Sequence, residues 1–191
     1  MTGLIAPHGG TLVTRTGARP EGVDQLERIT LSPREVADLD MLASGALSPL
    51  SGFMGKADYD RVVAEMKLAD GTIWALPVTL AVAEAPKGGR VALADENGTL
   101  LATLDVAEVY AYDARHEAEL CFRTTEDAHP GVARLYGQPG QYLAGDVTVF
   151  ERPKPSFPDL ALDPEQTRAA FAERVVTYLE QRGLVKSAVP A

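Results

Sequence analysis

A chain of 191 residues, 46% hydrophobic and 24% charged, is long enough for one globular domain with a short appendage, and its composition is neither disordered nor fibrous. A net charge of -9 gives the wrong sign for a protein that displaces counterions from nucleic-acid phosphates or settles on an anionic membrane. One cysteine cannot form an internal disulfide, no stretch reaches the ~18 apolar residues of a membrane span, and Met1 to Gly10 lacks a signal peptide's pattern, so a cytoplasmic protein is expected.

The first 30 residues are rich in Gly, Pro and Thr, with Thr11-Leu12-Val13 a candidate short strand. A helix then starts clearly: Ser32 can cap, Pro33 suits the first helical position, and Glu35 can reach back to the cap's amide. Val36, Leu39 and Leu42 recur at helical spacing, and Gly45 supplies the stop. Leu47 to Gly55 reads as a loop. A second helix is predicted from about Ala57 to Met66, with Tyr59, Val62, Val63 and Met66 as its apolar face.

After the Asp70-Gly71 turn comes the most regular alternation in the chain. Trp74, Leu76, Val78, Leu80 and Val82 fall on one face of a predicted strand, with Trp74 expected in the core. Pro77 lacks an amide donor, which places this strand at an edge or a bulge and offers a surface for association. Val91–Ala94 and Leu100–Val109 read as strands joined by the hairpin signal Asn97-Gly98. Ala114–Phe122 is a predicted short helix, His129-Pro130-Gly131 opens another through Tyr136, and Tyr142–Phe150 is a last strand. Pro153, Pro155 and Pro158 exclude regular structure and indicate a linker. Asp163, Pro164 and Gln166 then start an amphipathic helix carrying Phe171, Val175 and Leu179. The strands are close in sequence and joined by tight turns. That favours an α+β domain: a small, mostly antiparallel β-barrel or curled sheet with peripheral helices.

The search for chemistry excludes the common centres. Gly55-Lys56 fails as a phosphate-binding loop because Leu50 and Ala57 stand where a glycine and a magnesium-binding hydroxyl belong. His116-Glu117 fails as a zinc-protease helix because Leu120 replaces the second histidine. There is no G-x-S-x-G elbow. His8 and His129 are read as structural loop residues, and His116 as solvated. Cys121 is read as a buried, inert thiol. Tyr136 and Tyr142 are read as packing at the base of a Gly-rich loop. Glu117, Glu119, Glu126 and Asp127 are read as a solvated acidic face. No catalytic, cofactor-binding or metal-binding residue is expected, and no cofactor.

Six phrases in order go further. Pro7-His8-Gly9-Gly10, Leu31-Ser32-Pro33-Arg34-Glu35, Gly45 to Met54, Leu68 to Leu80, His129-Pro130-Gly131-Val132 and Tyr142-Leu143-Ala144-Gly145 together resemble the amino-terminal domain of bacterial ATP sulfurylases (sulfate adenylyltransferases). The resemblance covers about residues 4–174. It implies a PUA-like domain over 1–150, a proline-rich linker over 151–162, and a connector helix and tail over 163–191. In that family the chemistry belongs to a second domain with the signature Q-x-R-N-P-x-H-x-x-H. Asn97 is the chain's only asparagine, so the Arg-Asn step of that signature has no counterpart here. The resemblance therefore implies a chain inactive alone, serving as a scaffold or half of a split enzyme. Its expected partner is a separately encoded catalytic domain or a second copy, with no nucleic acid and no membrane. The alternative is a stand-alone PUA-like module that binds RNA or a protein.

Overall fold

A computed structural model describes residues 6–154. The rest of the linker beyond residue 154 and the connector helix and tail at 163–191 lie outside the described residues. Helix α1 (Pro33–Ser44) starts where the capping box predicts: Ser32 Oγ accepts from the Glu35 amide, and Glu35 accepts from the Ser32 amide at 2.8 Å. Such a cap contributes about 1 kcal/mol. The helix ends on Gly45 at φ 79°, where a Cβ would also press on Leu12 and the Val13 carbonyl. Helix α2 (Lys56–Glu65) buries Tyr59, Val62 and Val63 as predicted, but Met66 lies beyond its end and is 54% exposed. The short helix α3 (Ala114–Glu117) continues as a π-helical turn over Ala118–Phe122. Helix α4 (Pro130–Tyr136) starts on His129, whose Nδ1 accepts from the Gly131 amide at 3.2 Å.

Six strands form one mixed sheet: β1 (Arg28–Thr30), β2 (Gly52–Phe53), β3 (Leu80–Val82), β4 (Arg90–Ala94), β5 (Leu100–Ala111) and β6 (Gln141–Val149). The path runs β1-β4-β5-β6-β2, and β3 also pairs with β6. Among the described strands, only β1 and β4 pair in parallel. The β4–β5 hairpin turns at Asn97-Gly98 as its sequence predicts, with Gly98 at φ 83° and Asp95 Oδ1 accepting from the Asn97 and Thr99 amides. No pairing of β1 with β2 or β3 closes the sheet among the described residues, so it is an open mixed sheet, and a closed barrel is not seen.

The outer edge of β6 is covered by three separate stretches in succession. β3 pairs with Gln141–Leu143, β2 with Gly145–Asp146, and the extended chain at Arg15–Gly17 brackets Val149 through two backbone hydrogen bonds. Thr11-Leu12-Val13 forms no strand; the amino-terminal segment makes its one bridge at Thr16. Two close strand approaches, β2 to β6 and β6 to β5, depend on glycine. A Cβ on Gly52 would run into the Gly145 carbonyl, and one on Gly145 into the Asp105 carbonyl. The main core lies between α1, α2 and the sheet. It includes Leu39, Leu42, Val62, Leu93, Leu104, Leu143 and Val147, all fully buried, and each contributes roughly 1.5–3 kcal/mol.

Three predicted features are corrected. The alternating stretch from Ile73 is a strand only over Leu80–Val82, because the preceding residues leave the sheet: Ile73 is 70% and Leu76 48% exposed. Trp74 is partly buried, packed against the main core rather than enclosed within it. Glu117 does not belong to a solvated acidic face, since it is 5% exposed.

Candidate functional site

Three arrangements concentrate side chains that chemistry or binding could use. The first surrounds Glu117. Asp113 caps α3 by accepting from the Arg115 and His116 amides, which sets the helix so that its last residue points inward. Glu117 Oε2 accepts from the Tyr59 hydroxyl of α2 at 2.8 Å and from the Tyr142 hydroxyl of β6 at 3.0 Å. Tyr112 stacks on Tyr142 at 3.8 Å between ring centres, and Tyr59 and Tyr110 meet it edge-on. Tyr110 donates to the Met54 carbonyl at 2.8 Å. Burial pushes the Glu117 carboxyl above the usual carboxylate range, against the two tyrosine hydrogen bonds and the charges of Arg134 and Arg34. Burial, reinforced by the Glu117 charge, raises the Tyr59 and Tyr142 hydroxyls so that both remain donors. Both hydroxyls are spent on the one carboxylate oxygen, so this arrangement holds three elements together. Cys121 sits half-buried beside it, its thiol pushed up to about 11 by burial and the Glu117 charge, and stays protonated at neutral pH.

The second arrangement is the Gly45–Gly55 segment. The Ser48 hydroxyl donates to the Gly45 carbonyl at 2.6 Å and accepts from the Val13 amide at 2.9 Å, tying the segment to the amino-terminal chain. Ser51 donates to Asp146 at 2.5 Å, and Glu108 of β5 caps α2 by accepting from the Lys56 amide at 2.6 Å. A small hollow of about 170 Å³ opens here between Ser51, Gly52, Asp58, Gly145 and Asp146. Its charged lining is acidic. A larger, open hollow of about 710 Å³ lies over Tyr112, Arg115, Thr125 and Tyr136.

The third is an excursion from the sheet. The chain leaves β2 at Met54, runs through α2, and returns to β3 at Val78, where the Met54 amide donates to the Val78 carbonyl at 3.0 Å and closes the base. The far end is cross-braced. The Trp74 amide donates to the Met66 carbonyl at 2.8 Å, and Lys67 bridges Ile73. Asp58 accepts from the Ala69 amide and Arg61 donates to the Ala69 carbonyl. His8 Nε2 lies 2.7 Å from the Ile73 carbonyl, and its ring is 6.0 Å from Trp74. Met66, Ile73 and Leu76 are all largely exposed on this braced segment.

The structural reading of His8 and His129 therefore has named partners, and His116 is exposed. The three histidines are not brought together. Among the described residues no group of three or more His, Cys, Asp or Glu is placed to hold a metal ion, and no helix is long and apolar enough to cross a membrane. Sequence reasoning missed Glu117 as a buried hub. Its partners stand 58 and 25 residues away, so only the fold reveals them.

A family model described as a PUA-like domain matches residues 5–152. The sulfate adenylyltransferase of Symbiobacterium thermophilum is 51% identical over 185 residues, which cover 91% of this chain and 47% of that protein. That of Deinococcus radiodurans is 46% identical over 179 residues, with 90% and 46% covered. A solved structure named "Hexameric APS kinase from Thiobacillus denitrificans" superposes with a TM-score of 0.63 at 31% identity, covering 90% of this chain and 32% of that one. The chain thus spans about half the length of the curated relatives it matches. It belongs to the PUA-like domain family, in the form found within sulfate adenylyltransferases.

Proposed function

We infer that this chain is the non-catalytic part of a sulfate adenylyltransferase and supports an adenylyl-transfer centre that lies outside it. The observation that carries this reading is where its cations are. Sulfate attack on the α-phosphate of ATP builds negative charge that a cluster of cationic and amide donors must meet. Among the described residues, five cations are already engaged in separate places. Arg15 donates to the Val147 carbonyl and lies 4.0 Å from Asp146, Arg61 pairs with Glu65, Arg90 with Asp105, Arg152 with Asp40, and Lys56 with Asp60. The larger hollow carries one cation, Arg115, beside Asp113, and the charged residues of the smaller are the carboxylates Asp58 and Asp146. The 51% identity to one half of a sulfate adenylyltransferase supports the same reading from the other side.

The test is direct. The 191-residue chain, given ATP, sulfate and pyrophosphatase, is expected to form no adenylyl sulfate above the protein-free control. The same chain fused to the unmatched half of the Symbiobacterium enzyme is expected to form it. Clear turnover by the chain alone contradicts the reading. Self-association is a second reading, favoured by the hexameric assembly of the solved neighbour, and light scattering across a concentration series decides it. A single cysteine, with no partner for an internal disulfide, is in keeping with a cytoplasmic setting, which cell fractionation checks.

A further inference from the structure

We propose that the braced tip of the excursion, Met66 to Leu76, is the surface on which this domain docks the remaining half of a sulfate adenylyltransferase polypeptide. The proposal rests on the function inferred above and adds the place of contact. Five large apolar side chains stand out among the described residues as exposed, and three of them, Met66, Ile73 and Leu76, lie on this one segment. Apolar side chains gathered in one place at the surface mark contact sites, whereas scattered ones need no explanation. The segment is not loose chain. Its base is closed at Met54 and Val78, its two limbs are tied by Trp74 and Met66, and His8 reaches it from a sequence distance of 65 residues. A surface held in shape before contact loses little entropy on binding, which is the condition for a specific interface.

The occupant follows from the relatives. The matched region makes up 47% and 46% of two sulfate adenylyltransferases, so each carries a comparable length of further chain next to its copy of this domain. Contacts between domains of one chain bury on the order of 600–1,500 Å², and the fully buried core of an interface is more apolar than its rim. A second copy of this chain fits less well, because a net charge of -9 on each copy opposes their approach.

Hydrogen exchange tests this in the fusion of the full chain to the unmatched half of the Symbiobacterium enzyme. Amides between residues 66 and 76 are expected to exchange at least tenfold more slowly than in the chain alone. The double substitution Ile73→Asp with Leu76→Asp is expected to restore the faster rates. An active fusion protected elsewhere but not at 66–76 overturns the docking surface and leaves the inferred function standing. An inactive fusion with no new protection overturns both. A second measurement does not depend on the fusion folding: the intact Symbiobacterium enzyme carries a photo-crosslinking side chain at the position aligned with Ile73. Crosslinks to its unmatched half are expected. Crosslinks confined to its matched half or to a second subunit overturn the proposal, as do crosslinks from position 73 of the chain alone to residues 155–191.

Discussion

The two ends of helix α2 reverse the usual distribution of polar and apolar groups. Near its start, Tyr59 reaches a buried carboxylate, Glu117, which also accepts from Tyr142. Past its end, Met66 leads into a segment that leaves Ile73 and Leu76 in water. The first region is polar but complete, since every group named there has its partner within the domain. The second is apolar and incomplete, since Met66, Ile73 and Leu76 stay exposed on a segment tied by named backbone hydrogen bonds. Buried polar groups cost stability only when unpaired, and exposed apolar groups in one place point outward to a partner. One region therefore concerns the integrity of the domain and the other its use.

That contrast predicts very different responses to substitution. Glu117→Ala is expected to have the largest effect. It strands two buried tyrosine hydroxyls and leaves a void, for a loss of about 3–5 kcal/mol in urea unfolding. Glu117→Gln keeps an acceptor oxygen for both hydroxyls while removing the buried charge, and sharpens the point through pH. The folded-state carboxyl titrates above its unfolded value. It therefore contributes stability that is fully present below the unfolded pKa and is lost as pH rises through the folded pKa. The wild-type Tm is expected to fall relative to the Gln variant as pH rises from the ordinary carboxylate range toward neutrality. A constant difference across that range would show that the charge is not responsible. Asp38 of α1, raised by burial against the lowering charge of Arg34 3.9 Å away, and with no hydrogen bond to its Oδ2, retains its own pH dependence in both proteins.

Ser32→Ala probes an ordinary helix start between the two regions. Losing the α1 cap is expected to cost about 1 kcal/mol in urea unfolding. The smallest effect is expected at the exposed tip. Ile73→Ser or Leu76→Ser in the chain alone should change unfolding free energy by no more than about 0.5 kcal/mol, because neither side chain is enclosed. A loss comparable to that of Glu117→Ala would place the tip in the core and erase the contrast.

The sequence made some of this legible and hid the rest for identifiable reasons. Local chemistry spoke clearly where a few neighbouring residues decide the outcome. The Ser32 cap, the Asn97-Gly98 turn and the His129-Pro130 helix start all appear where their residue types require. It failed where distant partners decide. The two-residue strand β2 exists because Gly52 can approach Gly145, and β1 because Arg28–Thr30 finds β4 in parallel, and neither has a local pattern of its own. Glu117 looked like one more surface acid until the fold brought Tyr59 and Tyr142 to it. The alternation from Trp74 to Val82 misled most. Its period is that of a half-buried strand, but only Leu80–Val82 joins the sheet; before it Leu76 turns to solvent, while Trp74 and Val78 pack with the core. The absence of an expected catalytic set rested on the resemblance and on the missing motif steps, which are properties of the sequence that need no fold.

Adenylyl sulfate formation by the fusion of this chain with the unmatched half of the Symbiobacterium enzyme tests the account most directly. The account predicts turnover by the fusion, none by the chain alone, and at least a tenfold loss when the fusion carries Ile73→Asp with Leu76→Asp. Turnover by the chain alone, or a fusion indifferent to both substitutions, would contradict it.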